Sequence, residues 1–435
     1  MRGARPIAPL PSPVPRIALP ILTLAVAEQR YSCHGCGNCC RDFTVQLRDD
    51  DLARLADQGW AEKLGEPVTV EFRGVQYLRQ RPDGACLFLM EDGRCRIHAE
   101  HGFQAKPIAC QLFPFSLTPV EGQVAMGINF ACQSVLENKG AGLKSHVRDL
   151  KRMARSLPEV IPAARPPMLT RTLRAQASEV IALTRHADRW LTRDDLDLAT
   201  RLDGLAFVAQ SLAAAQLENV RGARFGELLE VLFSAMPEEL NFHPLEAPAS
   251  QQVKLLRQAA FARTEDPKLT GIAARGRLRT VLSQLRRSGR FKRGKGASPH
   301  IAAGWPENID LRAVETVGPA VDENVAAAID ELMTRYLRAT ILGGRAWGAG
   351  YYGWSMVEGL QALLLNVAVI GWLARLHAAG RGLEAVDLEA VRAAISRVDR
   401  TSGRAAWLGS PAERVRLKFL LMEDGLRRLV AGTSL

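Results

Sequence analysis

The chain has 435 residues, 47% hydrophobic and 24% charged, which excludes disorder of the whole chain and leaves room for two or three globular domains. Its 57 Lys and Arg against 46 Asp and Glu give a formal net charge of +11. All 8 cysteines lie in the 100 residues from Cys33 to Cys132 and the other 335 residues have none, so a disulfide scaffold running along the whole chain is excluded.

At the N-terminus Arg2, Arg5 and Arg16 precede the apolar run Ile17 to Ala27, an outline that a signal peptide shares. Pro6, Pro9, Pro11, Pro13 and Pro15 crowd the basic part, and Pro20 interrupts the apolar one. Residues 1–30 therefore read as a Pro-rich lead, disordered and then extended, with a strand over Ile21 to Val26. The protein is then expected in the cytoplasm, where thiols stay reduced and clustered cysteines bind metal more often than they pair. A cleaved signal would instead place them where disulfides form.

Cys33-x2-Cys36-x2-Cys39-Cys40 reads as a tight loop, with Gly35 and Gly37 allowing the bends. Asp49, Asp50 and Asp51 offer an N-cap for a short helix to Gln58, stopped by Gly59. Three hairpins follow by pattern: Val68 to Phe72 with Val75 to Leu78, Cys86 to Met90 with Cys95 to His98, and Phe115 to Val120 with Gln123 to Ile128. Between the second and third, Ala99 to Cys110 reads as a short helix or turn.

From about Gly140 apolar residues recur three and four apart, which predicts helices over Leu143–Arg155, Met168–Trp190, Asp194–Glu218, Phe225–Met236, Gln251–Ala262, Ala273–Arg287, Val321–Ile341, Met356–Ala379, Leu388–Val398 and Glu413–Val430. Val357 to Leu376 contains Glu358, Gln361 and Asn366 and reads as a buried helix rather than a membrane span. The fold class is α+β: a small Cys-rich metal-binding domain with short β-hairpins over residues 31–140, then a large all-α domain over 141–435 with a basic loop near 286–305. From Arg275 to Lys295 there are nine bases and no acid. Such a stretch suits an anionic partner or a solvated helix end; no nucleic-acid motif accompanies it, so nucleic acid is not the expected partner.

Two-residue spacing lets consecutive thiolates converge on one centre, as in zinc knuckles and in the runs that ligate iron–sulfur clusters. Three thiolates on one loop suit a cluster, with further ligands supplied from elsewhere; structural zinc more often uses two separated pairs. The candidate metal ligands are Cys33, Cys36, Cys39, Cys40, Cys86, Cys95, Cys110 and Cys132, enough for two four-thiolate sites or for one site with bystanders. His34 and His98 read as neighbours of the ligands. No catalytic residue is assigned.

The cysteine loop, followed by Asp83-Gly84-Ala85-Cys86-Leu87-Phe88-Leu89, Gly93-Arg94-Cys95-Arg96-Ile97-His98 and Lys106-Pro107-Ile108-Ala109-Cys110-Gln111-Leu112-Phe113-Pro114-Phe115, resembles the YkgJ-like cysteine-cluster family over about Tyr31 to Cys132. That family is described as zinc- or iron-chelating and includes flagellin lysine N-methylases, in which such a domain is joined to a long helical region. The resemblance implies an iron–sulfur cluster or zinc as cofactor. If it extends to the methylases, it implies a protein-lysine methyltransferase using S-adenosylmethionine on a protein substrate such as flagellin. Leu332-Met333-Thr334-Arg335-Tyr336-Leu337-Arg338 is only reminiscent of the methylase helices. Lys106-Pro107 stands where many members have Arg-Pro, and Glu100 to Gln104 is an insertion; neither touches a candidate ligand.

The residues themselves add no methyl chemistry. There is no glycine-rich strand-turn-helix fingerprint, and radical chemistry usually goes with cysteines spaced three and then two, whereas here the spacing is two and two. Trp347, Tyr351, Tyr352 and Trp354, with Glu358 nearby, could line an amine pocket by cation–π contact or could pack helices together. Three functions stay open: a metal-cluster enzyme acting on protein, a redox or metal-handling protein without methyl transfer, and a zinc-stabilised binding module.

Overall fold

A computed structural model describes residues 21–22, 26, 28–157, 165–242, 245–265, 277–302 and 304–435. Most of the Pro-rich lead, the apolar run from Ile17 to Pro20 and the expected helix start at Ala273 lie outside those residues. The architecture is α+β, with short strands and small helices first and a large helical part after them.

In the first part the strands are β1 Ile21–Leu22, β2 Arg30–Tyr31, β3 Thr69–Phe72, β4 Val75–Leu78, β5 Phe115–Val120, β6 Gln123–Ile128 and β7 Ala141–Gly142. The helices are α1 Asn38–Asp42, α2 Asp49–Asp57, α3 Trp60–Leu64, α4 Arg96–His101, α5 Ile108–Leu112 and α6 Gln133–Leu136. β3 and β4 pair across Arg73-Gly74, both with positive φ, as a two-residue hairpin turn requires. β5 and β6 form the six-residue ladder that their alternation predicts, and β1 adds to β6 in parallel. The sheet order β1-β6-β5 leaves Pro119, which lacks an N–H, on an edge strand.

The expected hairpin of Cys86 to Met90 with Cys95 to His98 does not form a ladder; a single bridge joins Leu89 to Cys95, and Cys95 caps α4. The turn is tightened by the Asp92 carboxylate, which accepts the Arg94 N–H at 3.0 Å. It is also held against the cysteine loop, since a Cβ on Gly93 would lie 2.2 Å from the Gly35 carbonyl oxygen. Asp49 to Asp51 fill the first turn of α2 rather than the cap position. Buried Asp51 accepts the Arg48 N–H at 3.1 Å and the Ile108 N–H at 2.9 Å, so one carboxylate anchors both α2 and the start of α5.

The helical part comprises α7 Val147–Arg155, α8 Ala177–Leu191, α9 Leu198–Ala214, α10 Ala223–Phe242, α11 Ser250–Thr264, α12 Arg277–Arg293, α13 Glu323–Leu342, α14 Met356–Gly380, α15 Leu388–Thr401, α16 Pro411–Leu421 and α17 Gly425–Gly432. α14 is its centre, packed by α9, α11, α15 and α17. It is long and apolar enough to cross a membrane, yet 94% of its most apolar window is buried, as in a core helix.

Several helical expectations shift, among them α10, which runs past Met236 to Phe242. α8 begins at Ala177, not Met168, because Met168 bridges to Arg174 after Pro166-Pro167, and a Gln176–Glu179 capping box sets the start. Glu413 to Val430 is two helices, broken where Glu423 and Asp424 take positive φ. α12 runs on to Arg293 and stops before Gly294, φ 60°, so the bases Arg286 to Arg293 are helical, not looped.

Two cores meet in this fold. Leu47, Leu55, Trp60, Val68, Leu78, Phe88 and Ile97 form the small one, with Trp60 edge-on to Phe88 at 5.0 Å. The large one reaches from the helices back to Phe115, Met126, Ile128, Phe130, Val135 and Leu136, so β5, β6 and α6 pack with the helical part. Two buried arginines stitch that junction. Arg335 on α13 donates to Gln29 Oε1 at 2.7 Å and to the Val135 and Leu136 carbonyls, each at 3.1 Å. Arg345 donates to the Ile128 carbonyl at 2.5 Å and to Asp399 at 2.7 Å, while Asp399 also accepts the Phe130 N–H at 2.6 Å. Removing one partner of a buried pair strands the other, at about 3–5 kcal/mol. Asp399→Ala is therefore expected to lose that much in urea unfolding; a loss below ~1 kcal/mol would show that the pair does not hold the junction.

Candidate metal centre

The cysteine loop owes its shape to two glycines. Gly35 and Gly37 both take φ 72°, and Gly37 sits at the start of α1, whose single turn carries Cys39 and Cys40. The loop is fastened on both sides. Ser134 Oγ donates to the Ser32 carbonyl at 2.7 Å and Asn38 donates to Gln133 at 3.0 Å, next to Cys132. On the other side the Cys86 N–H donates to the Cys40 carbonyl at 2.7 Å. Cys95 leads into α4, and Cys110 lies on α5, whose start Asp51 anchors.

The outcome is one cavity of about 790 Å³ lined by all eight cysteines. None of them is in a disulfide; Cys33 is exposed and the other seven are half-buried. Cys39 and Cys40 Sγ lie 3.9 Å apart. Among the described residues no three His, Cys, Asp or Glu side chains converge on one ion position, so the thiols ring a cavity rather than a point.

Burial pushes the Cys86 thiol up to about 11 and the Cys132 thiol to about 12, and neighbouring thiols add to both shifts. Cys36 and Cys110 are raised for the same reason, and Cys39 is raised first by its hydrogen bond with Cys40 and then by burial. The Lys106 ammonium opposes the rise at Cys39 and Cys110. Crowded buried thiols of this kind stay protonated unless a cation stabilises their thiolates, which is the donor chemistry a metal centre needs.

The rest of the lining suits that charge. Among the described lining residues there are three cations, Arg94, Lys106 and Arg404, and no Asp or Glu. Among the described lining residues Arg404 is the one from beyond Ser134; its guanidinium stands over the Phe43 ring at 5.5 Å, and that of Arg400 over the same ring at 5.0 Å. His34 and His98 also line the cavity, and burial, with Lys106 nearby, lowers the His98 imidazole. Sequence spacing pointed to the thiols. It carried no signal for Arg404, which reaches the site only through the turn after α15, nor for Asp51 and Asp399, whose work is to anchor the cysteine-bearing segments.

The aromatic patch is elsewhere. Trp347, Tyr351 and Trp354 are buried in the large core, and half-buried Tyr352 donates to the Thr401 carbonyl at 3.2 Å. Glu358 pairs with Arg171 at 3.3 Å. These residues pack helices together and do not line the cysteine cavity.

Raised thiols react slowly, because only the thiolate attacks. A thiol at about 11 rather than the usual 9 holds about a hundredfold less thiolate at pH 8. In reduced, metal-free protein, Cys86 and Cys132 are expected to take up iodoacetamide at least about tenfold more slowly than exposed Cys33, read site by site by peptide mass spectrometry. Equal rates would contradict the burial assigned to them.

Residues 32–136, about a quarter of the chain, match the model of the CxxCxxCC family, described as a "putative zinc- or iron-chelating domain". An uncharacterized protein of Methanocaldococcus jannaschii is 30% identical over 112 residues, which are 25% of this chain and 38% of that relative. The match thus spans well under half the length of that relative. No solved structure matches the chain. The matched residues contain the cysteine loop and all eight cysteines of the cavity, and the chain accordingly carries a cysteine-cluster domain of this zinc- or iron-chelating family.

Proposed function

We propose that the protein is a metal-centre protein whose cavity thiolates hold iron, as an iron–sulfur cluster, and that its chemistry is redox or metal handling. The observation that carries this reading is that eight cysteines scattered from Cys33 to Cys132 line one cavity of about 790 Å³. Iron is favoured over zinc on two grounds. The Cys33-x2-Cys36-x2-Cys39 run is of the kind that ligates clusters. Eight thiols on one cavity also outnumber the four that a single tetrahedral ion takes.

A bound iron–sulfur cluster supplies one-electron chemistry, with a potential set by net charge, hydrogen bonds to sulfur and solvent exposure. This chain's residues set those conditions. Lys106 and Arg404 place positive charge on the lining, and the small core walls off the side of Cys86, Cys95 and Cys110. Protein-lysine methylation finds no support in the aromatic cluster, whose side chains pack the large core.

Protein purified without oxygen is expected to be brown, with stoichiometric iron and acid-labile sulfide, and to bleach on reduction with dithionite. A colourless protein with stoichiometric zinc would overturn the iron assignment while keeping the thiolate centre. A protein carrying neither metal would overturn both.

A further inference from the structure

The eight thiols of the cavity are not equivalent in what holds them. Cys86, Cys95 and Cys110 pack against the small core. Cys132 packs against the large core, at the start of α6. The cysteine loop lies between and is tied to both. Its beginning is fastened to the Cys132 segment, through Ser32 with Ser134 at 2.7 Å, the Ser32 N–H with the Lys139 carbonyl at 3.1 Å, and Asn38 with Gln133 at 3.0 Å. Its end is fastened to the other side, where the Cys40 carbonyl accepts the Cys86 N–H at 2.7 Å.

Cys39 and Cys40, adjacent in α1 with their sulfurs 3.9 Å apart, lie between the segment that carries Cys132 and the segments that carry Cys86, Cys95 and Cys110.

Resting on the metal-binding reading above, we propose that the cavity holds two metal centres side by side. Cys33, Cys36 and Cys132 serve one, and Cys86, Cys95 and Cys110 the other. Cys39 and Cys40 give a fourth thiolate to each. Four thiolates complete either a tetrahedral zinc or a cubane iron–sulfur cluster, so the partition does not depend on which metal is bound. The close approach of Gly93 to Gly35 keeps the two sets in one cavity. Each centre also has its own wall, one from each core, so losing one set leaves the support of the other intact.

The test is metal content per chain after anaerobic loading of the full-length protein, by inductively coupled plasma mass spectrometry with sulfide assay, in Cys33→Ser, Cys132→Ser, Cys95→Ser and Cys110→Ser and in paired variants. Each single variant is expected to keep about half the wild-type metal. The within-set pair Cys33→Ser/Cys132→Ser should also keep half, whereas the cross-set pair Cys132→Ser/Cys95→Ser should keep almost none. Circular dichroism of the helical part checks folding; should Cys110→Ser misfold, Cys95→Ser reports on its set, and exposed Cys33 reports on the other. A metal-loaded wild type in which any single substitution empties the protein, or in which within-set and cross-set pairs lose the same fraction, would overturn the partition while leaving the metal-binding reading standing. A wild type that binds no metal would overturn that reading, and the partition with it.

Discussion

The Asp399 carboxylate, at the end of α15, is the point on which the two parts of this protein turn. One oxygen holds the Arg345 guanidinium and the other the Phe130 N–H, while Arg345 reaches on to the Ile128 carbonyl. A charge that deeply buried is costly to desolvate, and the cost is offset only because its polar partners are all in place. What the arrangement secures is position. It fixes the end of β6 and the Phe130 backbone two residues ahead of Cys132, and the chain that leaves α15 from the same place brings Arg404 to the cysteine cavity. The helical part is thereby a wall of the cysteine cavity as well as its neighbour.

On the other side a second carboxylate does comparable work. Asp51 holds the starts of α2 and α5 together, and α5 carries Cys110. Between these anchors the cysteine loop has little freedom, with its glycines backed onto Gly93 and Leu89 and its ends hydrogen-bonded to both cores. The site is therefore largely preorganised, which lowers the entropy lost when ligands close around an ion. A metal bound there would compete with protons for the same sulfurs. Burial and neighbouring thiols raise Cys86 and Cys132, so such binding would release protons and weaken as pH falls. Lys106, with no carboxylate in the described lining, offsets part of that rise at Cys39 and Cys110.

Much of this was legible in the sequence where the signal is local. The Arg73-Gly74 and Glu121-Gly122 turns mark their hairpins because two-residue turns need particular backbone angles. The helices α11, α13, α14 and α15 fall close to where their apolar periodicity places them. The Cys86–Cys95 hairpin misled because Gly93 is committed to packing on Gly35, a contact that no local pattern reveals. The start of α8 and the break at Glu423 depend on capping and positive-φ residues that periodicity alone does not weigh. Of the site, the two-residue spacing marked the cysteine loop, with Cys86, Cys95, Cys110 and Cys132 as further candidates, and all eight line the cavity. It was silent on Arg404 and Asp399, because a residue that reaches a site across the fold leaves no mark in the intervening sequence.

The central claim is that the thiols of one cavity ligate metal, and an anaerobic crystal structure with anomalous data collected at the iron and zinc edges tests it most directly. Anomalous density inside the cavity, within bonding distance of sulfurs from the cysteine loop and from Cys86, Cys95, Cys110 or Cys132, is the predicted result. A cavity without anomalous density in a protein grown with both metals, or one whose cysteines are joined in disulfides, would contradict it.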